Sequence, residues 1–162
     1  GGYNTSGVPE DYELWLRWIE SGVKMEKINE EVLLWNDLPT RLSRNHPNYS
    51  RDSFELARIP YLQRWLRSFV RPDKPIFIWG GGKLSRQKAK MLEEAGTRIH
   101  GFIDVVDKGL VDGKPVIHYT NIPPPGSIFI LSSVSNRGKY QEIRDHLISK
   151  GHAEELDFII SS

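Results

Sequence analysis

The chain has 162 residues, 38% of them hydrophobic and 27% charged, with a net charge of +1. That is enough for one domain, or two small ones, with a real core, and too balanced a charge to imply a nucleic-acid partner. There is no cysteine, which excludes disulfides and thiolate-bound metals and leaves the cytoplasm as the default compartment; no apolar run approaches the roughly 18 residues of a membrane span.

The opening GGYNTSGVPEDY has no initiator Met and no signal-peptide pattern, and reads as a piece of something longer. Pro9-Glu10-Asp11 opens a helix, because proline and acids suit a first turn with unpaired N–H groups and a positive dipole. Tyr12, Trp15, Leu16 and Ile19 form its apolar stripe, with Trp18 at the edge, and Gly22 ends it. Lys24–Trp35 reads as extended pieces around a polar turn at Asn29-Glu30-Glu31. Asn36–Ser50 is a long irregular polar stretch, a length usually reserved for functional or mobile loops.

Ser50 or Asp52 can cap a helix over Phe54–Phe69. Phe54, Ala57, Tyr61, Leu62, Trp65, Leu66 and Phe69 make its apolar side, and Pro60 is expected to kink or interrupt it. Arg58, Arg64, Arg67 and Arg71 could meet phosphates or lipid head groups, but such a set is more often a solvated face, and the C-terminal ones suit the helix dipole. Arg71-Pro72-Asp73-Lys74-Pro75 is a proline-bounded linker, which sets the expected division: residues 1–50, a connecting helix and linker over 51–73, and a domain over 74–162.

That last domain begins with KPIFIWGGGKLSRQKAKMLEEAGTRIHGFID. Pro75–Trp79 is a buried strand by composition, Gly80-Gly81-Gly82 a tight turn, and Leu84 onward a helix with Leu84, Lys88, Met91, Leu92 and Ala95 on one stripe. Gly96 stops the helix, and Arg98–Asp104 returns as a strand. This is a βαβ unit, parallel and right-handed by rule. Further strands follow at Pro115–His118, Ser127–Leu131 and Leu156–Ile160, with a helix from Asn136 to Lys150 that turns Ile143, Leu147 and Ile148 inward. The expected fold is α/β: a small doubly wound, mostly parallel Rossmann-like sheet domain.

Gly80 and Gly82 have the G-x-G spacing, and Asp104 stands 22 positions after Gly82. In dinucleotide folds such a turn approaches a pyrophosphate, and an acid about 20 positions on bonds a ribose hydroxyl. Gly80, Gly82, Lys83, Ser85 and Asp104 are therefore the candidate nucleotide-binding residues, although Ser85 replaces the third glycine. A Walker loop is excluded, because Leu84 follows Lys83 and Phe77 stands at the first glycine position. Two readings stay open: the glycines receive a phosphate, or they only make the turn. The five histidines lack paired spacing for zinc, and Ser132, Ser133 and Ser135 lie in no nucleophile elbow.

Gly1-Gly2-Tyr3 followed by Glu10-Asp11-Tyr12-Glu13-Leu14-Trp15-Leu16-Arg17 resembles the C-terminal third of a family 2 glycosyltransferase catalytic domain, over roughly residues 1–50. The continuation with an R-L-S-R loop, then Ile78-Trp79-Gly80-Gly81-Gly82 and Gly101-Phe102-Ile103-Asp104, is similar to a subset of these enzymes with an appended Rossmann-like domain. The resemblance implies that residues 1–50 are a mainly helical remnant of the GT-A domain. It makes Asp11 the general base, with Glu10 its neighbour at the acceptor site; from the residues alone the pair is equally a helix-start motif. It implies transfer of a sugar from a nucleotide-sugar donor to a glycan or lipid-linked acceptor in surface polysaccharide synthesis. The parent enzyme would use a divalent metal, Mg or Mn, and would meet the membrane only peripherally, through its acceptor. The metal-binding D-x-D would lie upstream of Gly1, so the piece itself is expected to be inactive. Where some members carry a metal-holding histidine this chain has Leu38, with Asp37 beside it as a candidate metal residue and His46 displaced. The alternative is an accessory module that binds a nucleotide or nucleotide sugar in the Rossmann-like domain and has no catalysis of its own.

Overall fold

The computed structural model describes residues 2–4, 7–34, 38, 40–134 and 138–161. Trp35, read as a strand end, Asp37, read as a metal residue, and Asn136, read as a helix start, lie outside the described residues. By contact the chain divides into two compact units, Gly1–Leu62 and Gln63–Ser162. No helix among the described residues is long and apolar enough to cross a membrane.

In the first unit, α1 spans Glu10–Glu20, α2 Leu42–Asn45 and α3 starts at Arg51, to end in the second unit at Phe69. Acids at Glu10, Asp11 and Glu13 fill the first turn of α1, as the dipole favours. The buried side of α1 differs from its apolar stripe. Glu13 is buried, whereas Trp15, Trp18 and Ile19 are exposed. The reason is polar pairing: Tyr61 donates its hydroxyl to Glu13 Oε1 at 2.6 Å, and Arg17 bonds Oε2 at 3.2 Å. Residues 23–34 form no strand and are all exposed, so the extended pieces read there pair with no strand among the described residues. The irregular stretch after them contains α2 and a single 3-10 turn, Pro47–Tyr49.

Ser50 caps α3, its Oγ accepting the Ser53 N–H at 3.2 Å. The helix passes through Pro60 uninterrupted. Proline removes the bond to the carbonyl four residues back and crowds that carbonyl; both Pro60 and Leu56 are exposed, so water can take the carbonyl. Phe69, expected on the buried side, is exposed and stacks on Trp65 with centroids 4.9 Å apart.

The second unit is a small Rossmann-like α/β domain. Its elements are β1 Ile76–Trp79, α4 Lys83–Glu94, β2 Gly101–Asp104, β3 Leu110–Val111, β4 Lys114–His118, β5 Phe129–Ser132, α5 Lys139–Ser149 and β6 Phe158–Ile160. They form one six-stranded sheet in the order β3-β4-β2-β1-β5-β6. Every pairing is parallel except β3 with β4. That hairpin turns on Asp112 and Gly113, both at positive φ, the geometry that matches strand twist and favours Asp-Gly.

The four-residue strands β1, β2 and β5 are buried at every position, as parallel strands covered on both faces must be. Phe77, Trp79, Ile103, Ile130 and Phe158 form one core with Ile143 and Leu147 of α5. Alternation puts Ile78, Phe102, Phe129 and Leu131 on the other face, where Trp65 of α3 meets Phe129 at 6.0 Å. Fully burying one such side chain is worth about 1.5–3 kcal/mol, so these two layers hold the unit together. Three helix positions differ from the sequence pattern. Leu84 is exposed and Ala89 is buried, while Lys88 and Leu92 lie inside as the stripe predicts; the Lys88 ammonium bonds Ser161 Oγ at 2.8 Å. Ile148, expected inward on α5, is exposed.

Candidate functional site

From β1 the chain crosses through α4 to β2 on one side, while β5 lies on the other side and feeds α5 and β6. The turns after β1 and β5 therefore diverge, which opens a crevice at the C-terminal ends of these two strands. Trp79 and Ser132 are paired in register there, so Gly80–Gly82 and Ser132–Ser133 lie side by side.

Each glycine has a different reason. Gly80 has φ +98°, and a Cβ on it would stand 2.8 Å from Ser85 Oγ. Ser85, at the third fingerprint position, thus packs under the turn as the missing glycine would. Gly81 donates its N–H to Asp104 Oδ2 at 2.8 Å, and a Cβ on it would lie 2.9 Å from the same oxygen. Gly82 is extended, with φ −78° and ψ 171°, and a Cβ there would meet nothing within 4 Å. Packing among the described residues does not require glycine at 82, and the space above it is open.

Asp104 is buried and heavily engaged. Its Oδ2 also accepts the Lys108 ammonium at 2.7 Å, and Oδ1 accepts the Val106 N–H at 3.1 Å. Burial raises the carboxyl pKa, but Lys108 and the N–H groups of Gly81 and Val106 outweigh it and hold the group below its usual range. Asp104 is an ionised staple that ties the glycine turn to the end of β2. The Gly81 N–H is consumed in that bond. The donors left facing the crevice are those of Gly82 and the start of α4, which has neither a side-chain cap nor an acid in its first turn. Lys83, the first residue of that helix, is exposed.

Sequence reasoning weighed Ser132 and Ser133 only as nucleophiles. Ser132 is fully buried, and the hydroxyls of both serines are buried without a hydrogen-bond partner among the described residues. A buried hydroxyl left unpaired costs about 1–3 kcal/mol, so two of them at the end of one strand call for a ligand or ordered water. The available signal was a polar pair directly ending a buried strand.

In the first unit the Glu10-Asp11 pair is split in role. Tyr49 donates its hydroxyl to the Glu10 carboxylate, at 2.7 and 2.8 Å from its two oxygens. That bond lowers the Glu10 pKa and pushes the Tyr49 phenol up to about 12. Asp11 is exposed, and its one hydrogen bond among the described residues is to the adjacent Tyr12 N–H. His46 caps the 3-10 turn, its Nδ1 accepting the Asn48 N–H, and Leu38 is exposed. The metal implied for the parent enzyme finds no donor cluster among the described residues.

Comparison of the chain with protein-family models, with curated proteins and with solved structures gave no match.

Proposed function

We propose that the second unit binds a nucleotide or nucleotide sugar, its phosphates seated at the C-terminal ends of β1 and β5. The observation that carries this reading is Ser132: a fully buried hydroxyl without a partner among the described residues, level with the turn that leads to the uncapped start of α4. Free backbone N–H groups, a helix dipole and Lys83 supply what a phosphate needs, and a serine hydroxyl can add a donor. The commitment of both Asp104 oxygens argues for recognition through phosphate rather than through the ribose diol. Calorimetry with UDP-sugars, NAD and ATP tests the reading, and Gly82→Val is expected to abolish binding by filling the space the phosphate uses.

The parent protein, in this proposal, is a family 2-type glycosyltransferase of surface polysaccharide assembly, using Mg or Mn and working at the cytoplasmic face on a glycan or lipid-linked acceptor. The observation in its favour is the exposed Asp11 carboxylate beside a Glu10 locked by Tyr49. A base must reach its acceptor: Asp11 would take the hydroxyl proton as that oxygen bonds to the anomeric carbon and the nucleoside diphosphate leaves.

A further inference from the structure

The opposite edge of the same sheet holds a cleft of about 200 Å³. Its floor is apolar, from Leu66, Val70 and Ile76, and Arg67, Arg98 and Thr97 stand around it. Arg71 and Lys74 also line it, but each is neutralised: Arg71 by Asp73 at 2.6 Å, Lys74 by Asp157 at 2.9 Å. Arg67 and Arg98 have no acidic partner among the described residues. The guanidinium of Arg67 lies over Gly96, where its Nη2 is 3.0 Å from the place a Cβ would take.

Arginine near the ends of α3 and α4 has an ordinary explanation, since cations offset the negative C-terminal dipole. Thr97 is not covered by it. The side chain is buried and its hydroxyl has no hydrogen-bond partner among the described residues, a cost that a partner in the cleft would remove. Thr97 lines the cleft beside Arg67 and Arg98.

We propose that this cleft is a second binding site, separate from the crevice above β1 and β5, for a small amphiphilic oxyanion: an anionic head held by Arg67, Arg98 and Thr97, on an apolar body seated against Leu66, Val70 and Ile76. Guanidiniums match the paired oxygens of such heads. An apolar cavity of roughly 150 Å³ holds a benzene ring, so a phenyl-sized body fits.

The test uses phenyl phosphate on the full 162-residue chain, with amide NMR shifts as the map and inorganic phosphate and benzyl alcohol as controls. Phenyl phosphate is expected to shift Gly96–His100 saturably, with each control weaker by at least about tenfold. The Arg67→Ala/Arg98→Ala double variant and Thr97→Val are each expected to lose about tenfold in affinity. Thr97→Val should at the same time raise the thermal midpoint, because it removes an unpaired hydroxyl. No saturable shift, shifts centred on Gly80–Ser85 instead, benzyl alcohol binding as well as phenyl phosphate, or unchanged affinity in both variants would overturn the proposal. Because the map separates the two edges of the sheet, failure here is distinguishable from failure of the nucleotide reading.

Discussion

Asp104 holds Gly81: the carboxylate at the end of β2 accepts the glycine's N–H at 2.8 Å and so fixes the turn that ends β1. The acid that spacing assigns to a ribose hydroxyl is, in the folded chain, part of the turn itself. Asp104→Ala removes acceptors from Gly81, Val106 and Lys108 together, and is expected to lower unfolding stability by about 2–3 kcal/mol. Urea denaturation measures it. A variant as stable as the parent chain would show that the staple contributes nothing.

Gly101 faces Phe77 in register. A Cβ at 101 would lie 2.4 Å from the Phe77 ring and 2.6 Å from the Pro115 carbonyl. Gly101→Ala should therefore cost about 1–3 kcal/mol through overpacking. Adding Phe77→Leu should recover only part of the loss, because the backbone carbonyl stays. Full recovery in the double variant would place the whole clash on the ring.

Acid should weaken the second unit in two stages. Burial, with Arg98 beside it, lowers the His100 pKa below 6.5; burial lowers that of His152, although Asp157 pulls the other way. Both histidines are held neutral in the fold and protonate more readily in the unfolded chain, so stability falls as pH drops below about 6.5. The Asp104 and Asp157 carboxyls are held below 3.8. Their contribution is present above that value and is lost as pH falls through their folded pKa. The urea midpoint should show both declines, and His152→Gln should shrink the upper one. A midpoint that stays level through the upper window would contradict the assignment.

The mostly parallel strands, the glycine turn and the two crossover helices were legible because parallel strands buried on both faces leave uninterrupted apolar runs, as in Ile76–Trp79 and Phe129–Ser132. The β3–β4 hairpin was missed although Asp112-Gly113 is its signal, since strands this short carry no period. The exposed Trp15 and Ile19 were misplaced because a buried Glu13 is invisible until Tyr61 and Arg17 are seen beside it. At the crevice, spacing pointed to Gly80, Gly82 and Asp104. It could not show that Gly81 is the residue bonded to Asp104, or that the Ser132 and Ser133 hydroxyls find no partner among the described residues, because both facts depend on neighbours distant in sequence.

Asp11 and Glu10 should separate in experiment. In the glycosyltransferase proposed as the parent, Asp11→Asn should reduce turnover by about 10²–10⁴-fold with donor binding intact, the range for loss of a general base. Tyr49→Phe should instead destabilise the first unit by about 1.5–3 kcal/mol, the range for a hydrogen bond to a charged group. Near-normal turnover of Asp11→Asn would remove it as the base.

Amide NMR titration of the full chain with UDP-glucose tests the central claim most directly. A phosphate at the ends of β1 and β5 should shift Gly80–Ser85 and Ser132–Ser133 saturably at millimolar ligand or below, and Gly82→Val should abolish the effect. NAD should bind no better than ADP, because Asp104 is engaged with Gly81, Val106 and Lys108. No shift at these residues with UDP-glucose, ATP or NAD would contradict the account and leave the three glycines as formers of the turn alone.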